Sequence, residues 1–276
     1  MHASRYSETK WPLLRNAIVS LMENTRPNVI GASLEIDITD ALTAIRRLQK
    51  DLKLALSLHA FLVFCLSRAC QQVPEARTYR WGRSKLLIFE DVNVATPIEK
   101  RLTGGLRIPV TYIVRNAQIK SLAEITLELR KATKSVDLDG DRTVQLRRRF
   151  SSLPSLVRKW LARRIARSPL LLDKFYGNTA ITSVRRVGNT FPLFPRITTL
   201  HTLSVAIGSQ CERLRMLEGG QVERRQVLCV TFAADHDVLD GMPCAQFCDV
   251  LEGLVSSASG LDDDFAREFR SLLESR

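Results

Sequence analysis

A histidine, three acids and a glycine stand together in the run Asp235-His236-Asp237-Val238-Leu239-Asp240-Gly241. Neutral imidazole is the side chain best suited to take a proton near pH 7, so His236 is a candidate general base. Asp240, four residues on, can order the loop by a salt bridge or by bonds to the backbone without moving a proton itself. Gly241 then permits a sharp turn. Asp235 and Asp237 read as loop charges. The pattern His-x-x-x-Asp-Gly is short, and unrelated chains match it by chance. Its weight depends on the elements that hold it.

Residues 227–232 (Val-Leu-Cys-Val-Thr-Phe) read as a strand leading into this run, and 243–256 as a helix leading out. Upstream, Trp11, Leu14, Ile18 and Leu21 give residues 1–27 a helical lead-in. A strand is expected over 29–38 and a helix from Thr39. Ser57 can cap a helix over 58–70 that is apolar nearly all round and so buried. Strands are expected at 85–89, 92–96 and 108–114, with a Gly104-Gly105 turn between the last two. Ser121 and Glu124 form a capping box before a helix to about 132. Further strands are expected at 179–184, 202–207 and 226–232, and a C-terminal helix lies within 258–276. No repeat or Pro/Ser-rich linker divides the chain. The pattern fits one mixed α/β domain over 28–257, with a basic insert at 142–172.

The 276 residues are 45% apolar, enough to bury a core. No apolar run approaches the ~20 residues of a membrane span, and the first residues lack a signal-peptide core, so a cytoplasmic location is expected. Six cysteines, at 65, 70, 211, 229, 244 and 248, form no Cys-x-x-Cys pair; they read as buried free thiols, and no metal site is expected.

In order, these pieces resemble the catalytic domain of the dihydrolipoamide acyltransferases of 2-oxoacid dehydrogenase complexes, in the chloramphenicol-acetyltransferase-like superfamily. The likeness is carried by the helix at 58–70 with Val73-Pro74-Glu75, and by Phe89-Glu90-Asp91-Val92-Asn93-Val94. It continues through Arg107-Ile108-Pro109-Val110, Lys120-Ser121-Leu122-Ala123-Glu124-Ile125 and Gly177-Asn178-Thr179-Ala180-Ile181-Thr182-Ser183-Val184, and ends in the histidine run. Ordered agreement over about residues 28–257 is far more specific than any one motif. The resemblance implies an α/β fold (an α+β two-layer sandwich), a mixed sheet flanked by helices.

It also implies acyl transfer from a thioester to a thiol, hydroxyl or amine, without a covalent acyl-enzyme. His236 would be the general base. Thr182, aligned with the family's serine, would donate to the oxyanion. Ser183 is the alternative donor, expected on the opposite strand face. Coenzyme A thioester or an acyl carrier protein is the implied donor, with no tightly bound cofactor. A homotrimer is implied, with the histidine and the hydroxyl coming from neighbouring chains. About 28 residues precede the first matched strand, and Asp237 replaces the family's usual arginine. The expectation is therefore a stand-alone branch served by a diffusing donor. Condensation-type relatives usually carry a second histidine where this chain has Asp235. His2, His59 and His201 match no family role, and His59 reads as a core or helix-start histidine. The rival reading is a non-catalytic trimeric scaffold that docks on membranes or partners.

The net charge is +12, and residues 142–172 hold nine Lys or Arg and no acid. Leu153, Leu156, Val157, Trp160, Leu161 and Ile165 fall near one helical face there. Three readings stand for 147–167. The stripe packs on the core, it meets a membrane surface, or its cations attract an anionic donor. Nucleic acid is not expected, because the rest of the chain is near neutral.

Overall fold

The computed structural model describes residues 13, 15–52, 56–101, 107–134, 142–184, 191–216 and 219–274. Trp11, Leu14 and the Gly104-Gly105 turn lie outside them. The chain runs α1 (Arg15–Met22), β1 (Val29–Asp37), α2 (Thr39–Leu52) and α3 (Leu58–Gln72), then a 3-10 turn (Pro74–Arg77). Next come β2 (Thr78–Trp81), β3 (Lys85–Ile88), β4 (Val94–Arg101), β5 (Arg107–Val114) and α4 (Leu122–Lys134). Three helices follow, α5 (Arg142–Ser152), α6 (Ser155–Arg167) and α7 (Pro169–Tyr176). The chain closes with β6 (Thr179–Ser183), β7 (Leu203–Met216), β8 (Val222–Asp235), α8 (Gly241–Ser256) and α9 (Asp263–Glu274).

Local chemistry sets several of these ends. The Ser57 hydroxyl accepts from the Ala60 N–H at 3.1 Å and opens α3. At α4, Ser121 Oγ accepts from the Glu124 N–H at 3.1 Å, and the Glu124 carboxylate accepts from the Ser121 N–H at 2.8 Å. Both halves of the expected capping box are therefore present.

Six strands form a mixed sheet in the order β1-β8-β7-β6-β4-β5. β6 lies parallel to both β4 and β7, and the other neighbours are antiparallel. α3 packs against α4 and α8, and its Phe61 and Leu66 share one core with Ile36, Ile181, Phe232 and Phe247 from the sheet and α8. β7 and β8 are 14 residues each, much longer than the apolar stretches predict. Their outer halves are rich in charge and lack apolar alternation. Cross-strand pairing and ion pairs hold them instead, such as Arg225 to Asp37 at 2.8 Å.

The basic segment holds three helices where the apolar stripe marks one. α6 ends at Arg167, and Pro169 starts α7, with Ser168 as its cap. The apolar stripe of α6 is split. Ala162 and Ala166 join a second small core with Leu21, Tyr79, Leu172 and Leu200. Leu161 and Ile165 are partly buried, whereas Leu156, Val157 and Trp160 are exposed.

Candidate functional site

His236 is the first residue beyond β8, and backbone bonds fix its position. Its N–H donates to the Asn28 carbonyl at 2.7 Å, and the Asp235 N–H donates to the Thr202 carbonyl at 2.8 Å. The Asp235 carbonyl accepts from Val238 and Leu239, closing the loop as a turn. The Asp235 carboxylate accepts from the Asp237 N–H at 3.2 Å and lies 3.3 Å from Arg26 Nε. Burial raises the Asp235 carboxyl above its ordinary pKa, and the Arg26 charge opposes this. Arg26 also donates to the Leu200 carbonyl at 3.1 Å and lies over the Tyr79 ring. Asp237 accepts from Asn28 Nδ2 at 2.8 Å and pairs with Arg80 at 3.4 Å. The two acids read as loop charges are thus the fastenings of the loop.

Asp240 reaches back to the histidine rather than forward into α8. Its carboxylate lies 3.5 Å from His236 Nδ1, is 82% exposed, and makes no capping bond to α8. Steric need does not explain Gly241 either. It opens α8 without a positive φ, and an added Cβ would meet nothing within 4 Å. The expected glycine-dependent turn is corrected accordingly: the loop is shaped by the bonds of Asp235.

Thr182 and Ser183 stand at the end of β6 on a cavity of about 670 Å³. Alternation along a strand would send them to opposite faces, but at the strand end both line this space. β6 is placed by Gly177, whose φ of 72° follows α7 and brings its Cα against the backbone of Asn93. Asn178 then accepts from the Asn93 N–H at 3.0 Å and donates to the Asp91 carbonyl at 2.8 Å. The cavity wall is largely apolar, with Leu58, Leu62, Ile98 and Ile207, and it includes the polar side chains of Glu99 and Gln210. His59 is there too, with Nε2 2.6 Å from Thr96 Oγ1. The expectation of a core or helix-start histidine holds for its place in α3 and misses the cavity. No residue spacing signals this, because β4, β6 and α3 meet there from distant parts of the chain.

One chain does not bring His236 to Thr182. Thr182 pairs with Ala206 and Ala206 with Thr231, so His236 lies two strands across and five residues further along. That is roughly 16 Å along the strands and about 10 Å across them. Among the described residues no group of His, Cys, Asp and Glu could hold a metal ion.

The chain matches the model of a family described as 2-oxoacid dehydrogenases acyltransferase (catalytic domain), over residues 4–139 and 159–261. A curated relative is the dihydrolipoyllysine-residue acetyltransferase component of the pyruvate dehydrogenase complex of Rickettsia bellii. It is 22% identical over 202 residues, which are 73% of this chain and 40% of that protein. The lipoamide acyltransferase component of the branched-chain alpha-keto acid dehydrogenase complex of Bacillus subtilis is 20% identical over 88% of this chain and 51% of its own length. The chain thus spans about half or less of these relatives. Among solved structures, the dihydrolipoamide acetyltransferase of Azotobacter vinelandii superposes with a TM-score of 0.64 at 16% identity, covering 92% of this chain and 94% of that one. A truncated catalytic core of the 2-oxoacid dehydrogenase multienzyme complex from Thermoplasma acidophilum gives 0.61 at 16% identity, covering 92% and 100%. At these identities the superpositions establish the fold, a mixed sheet flanked by helices.

Proposed function

The chain belongs to the 2-oxoacid dehydrogenase acyltransferase family, in its catalytic domain, and on that premise we propose that it transfers an acyl group from a thioester donor at a site shared by two subunits of a homotrimer. The observation that carries this reading is the separation of His236 from Thr182 within one chain. Each chain has a fastened histidine loop at one place and a hydroxyl-lined cavity at another. A neighbour related by a cyclic axis can bring the two halves together.

In this reading His236 Nε2 takes the proton of the acceptor, a thiol, hydroxyl or amine, and the acceptor attacks the thioester carbonyl. The oxyanion that forms receives a hydrogen bond from the Thr182 hydroxyl, or from Ser183 in its place. Collapse breaks the carbon–sulfur bond, and the departing thiolate takes the proton back from the imidazolium. No acyl-enzyme is formed. Asp240 beside Nδ1 steadies the imidazolium while it is charged. In the Azotobacter vinelandii enzyme, the residues investigated for a role in the catalytic mechanism are a serine, a histidine and, four positions after the histidine, an asparagine. The same spacing separates His236 from Asp240. Coenzyme A thioesters are the proposed donors, with an acyl carrier protein as the alternative carrier.

Mixed oligomers test the shared site. His236→Ala and Thr182→Ala chains, each inactive alone, are unfolded together and refolded. Random trimers place an intact histidine against an intact hydroxyl at about a quarter of their sites. Thiol release from acyl-coenzyme A should return to about that share of wild type. Inactive hybrids alongside an active wild type would place the whole site in one chain. Wild-type protein that neither binds nor turns over any acyl thioester would favour the scaffold reading.

A further inference from the structure

The exposed face of α6 is not absorbed by the acyl-transfer reading. Leu156 is 81% exposed, Trp160 61% and Val157 44%. Leu156 and Trp160 are one helical turn apart, and Val157 is three residues from Trp160, so the three share a face. Arg163, Arg164 and Arg167 continue that face and are exposed. They make no hydrogen bond or ion pair among the described residues. Other cations of the segment are used in packing. Arg158 donates to Ser20 Oγ at 2.9 Å and to the Leu153 carbonyl at 2.8 Å, and Arg147 donates to the Pro109 carbonyl at 3.0 Å. Lys159 pairs with Glu23 of α1 at 3.2 Å. The free arginines are thus concentrated beside the exposed apolar side chains. The family match stops at residue 139 and resumes at 159, so α5 and the first turn of α6 lie outside the residues that match the family.

We propose that α6 is a membrane-surface anchor. Leu156, Val157 and Trp160 enter the interfacial layer of an anionic bilayer, and Arg163, Arg164 and Arg167 meet its headgroups. Charge complementarity selects the partner, since 142–172 contains no acid. Size selects a lipid surface over a protein one. Three side chains on one helix fall well short of the ~800 Å² that each partner buries in a standard protein interface. A bilayer accepts a small amphipathic wedge because diffuse charge supplies the rest. Tryptophan is also the residue most at home at the membrane–water boundary. No helix among the described residues is long and apolar enough to span a membrane, so the contact is peripheral.

The test is flotation of the intact protein with vesicles of phosphatidylcholine alone or mixed with phosphatidylglycerol. Binding is expected only to the mixed vesicles and should weaken with added salt. Neutralising all three arginines (Arg163→Gln, Arg164→Gln, Arg167→Gln) should lower partitioning on the order of 100-fold, at about fivefold for each cation. Leu156→Ser with Trp160→Ser should abolish insertion while leaving the circular dichroism spectrum, the oligomeric state and acyl transfer unchanged. Equal binding to neutral vesicles, no binding, or binding that survives both sets of changes overturns the proposal. Dissociation of the oligomer by the serine pair would assign the face to a second copy of the chain. Saturation by an acidic acyl carrier protein without vesicle binding would assign it to a protein partner. Either of these also overturns it.

Discussion

Arg26 Nε lies 3.3 Å from the Asp235 carboxylate, whose side chain is only 3% exposed. The two residues join the approach to β1 to the last residue of β8, directly before His236. Removing the cation leaves a carboxylate buried with its main counter-charge gone. Arg26→Met should cost about 3 kcal/mol of stability and lower acyl transfer, because the loop that carries His236 loosens. Arg26→Met with Asp235→Asn should recover more than half of the lost stability, since the uncompensated charge is then absent. Urea unfolding of the four-member cycle measures both. A double variant no more stable than Arg26→Met would show that the pair is not what holds the loop.

His201, buried beside the same arginine, gives the fold a pH dependence. Burial is the largest cause of its depressed pKa, lowered from 6.5 to about 4. Arg26 adds to the depression, and hydrogen bonding to the Tyr176 carbonyl opposes it. The folded imidazole therefore stays neutral across a range in which the unfolded one binds a proton. Its contribution is full above about pH 6.5, falls by up to ~1.4 kcal/mol per unit as the pH drops towards 4, and then levels off. The difference in unfolding free energy between wild type and His201→Gln isolates this group, because other titrations cancel. That difference should shrink steadily from about pH 7 to about pH 4.5. A pH-independent difference would contradict the assignment.

The parts of the site legible in the sequence were those held by neighbours in the chain. Ser57 and the Ser121–Glu124 box mark helix starts because their bonds span three residues. The histidine run could be placed after a strand because residues 227–232 are apolar but for Thr231 and rich in β-branched side chains. The fastening of that run could not be seen, because Arg26 and Asn28 lie more than 200 residues before it. A row of three acids and a histidine also looks like solvated loop, and only the fold buries Asp235. The cavity of Thr182 was hidden for the same reason, since its walls come from α3, β4, β5, β6, β7 and β8.

The shared cavity wall makes the choice between Thr182 and Ser183 an experimental one. A donor aimed at an oxyanion acts only in the transition state, so its loss lowers kcat with little change in KM. Thr182→Val should lower kcat by about 10²–10³, and Ser183→Ala by less than about tenfold. Steady-state kinetics on both variants decides between them. The reverse pattern would transfer the role to Ser183.

Gly177 bears on the same hydroxyls through the backbone. Its φ of 72° is in the left-handed region, and a Cβ built there would lie 2.4 Å from the Asn93 carbonyl oxygen. That oxygen also accepts the N–H groups of Asn178 and Thr179, at 2.9 and 3.3 Å. Alanine cannot be relieved by a side-chain rotation, because the atom it meets is main chain. Either β6 moves off β4 or the Asn93 peptide turns away from its donors. With a ψ of −177° this backbone is essentially open to glycine alone and costs about 1–3 kcal/mol for a residue with a Cβ, and the clash adds about 1–3 kcal/mol. Gly177→Ala should therefore lower stability by about 2–6 kcal/mol, measured by urea unfolding. In the fraction that stays folded, kcat should fall further than in an equally destabilised variant of the α2 surface. The displaced strand carries Thr182 and Ser183, whereas α2 carries none of the proposed catalytic groups.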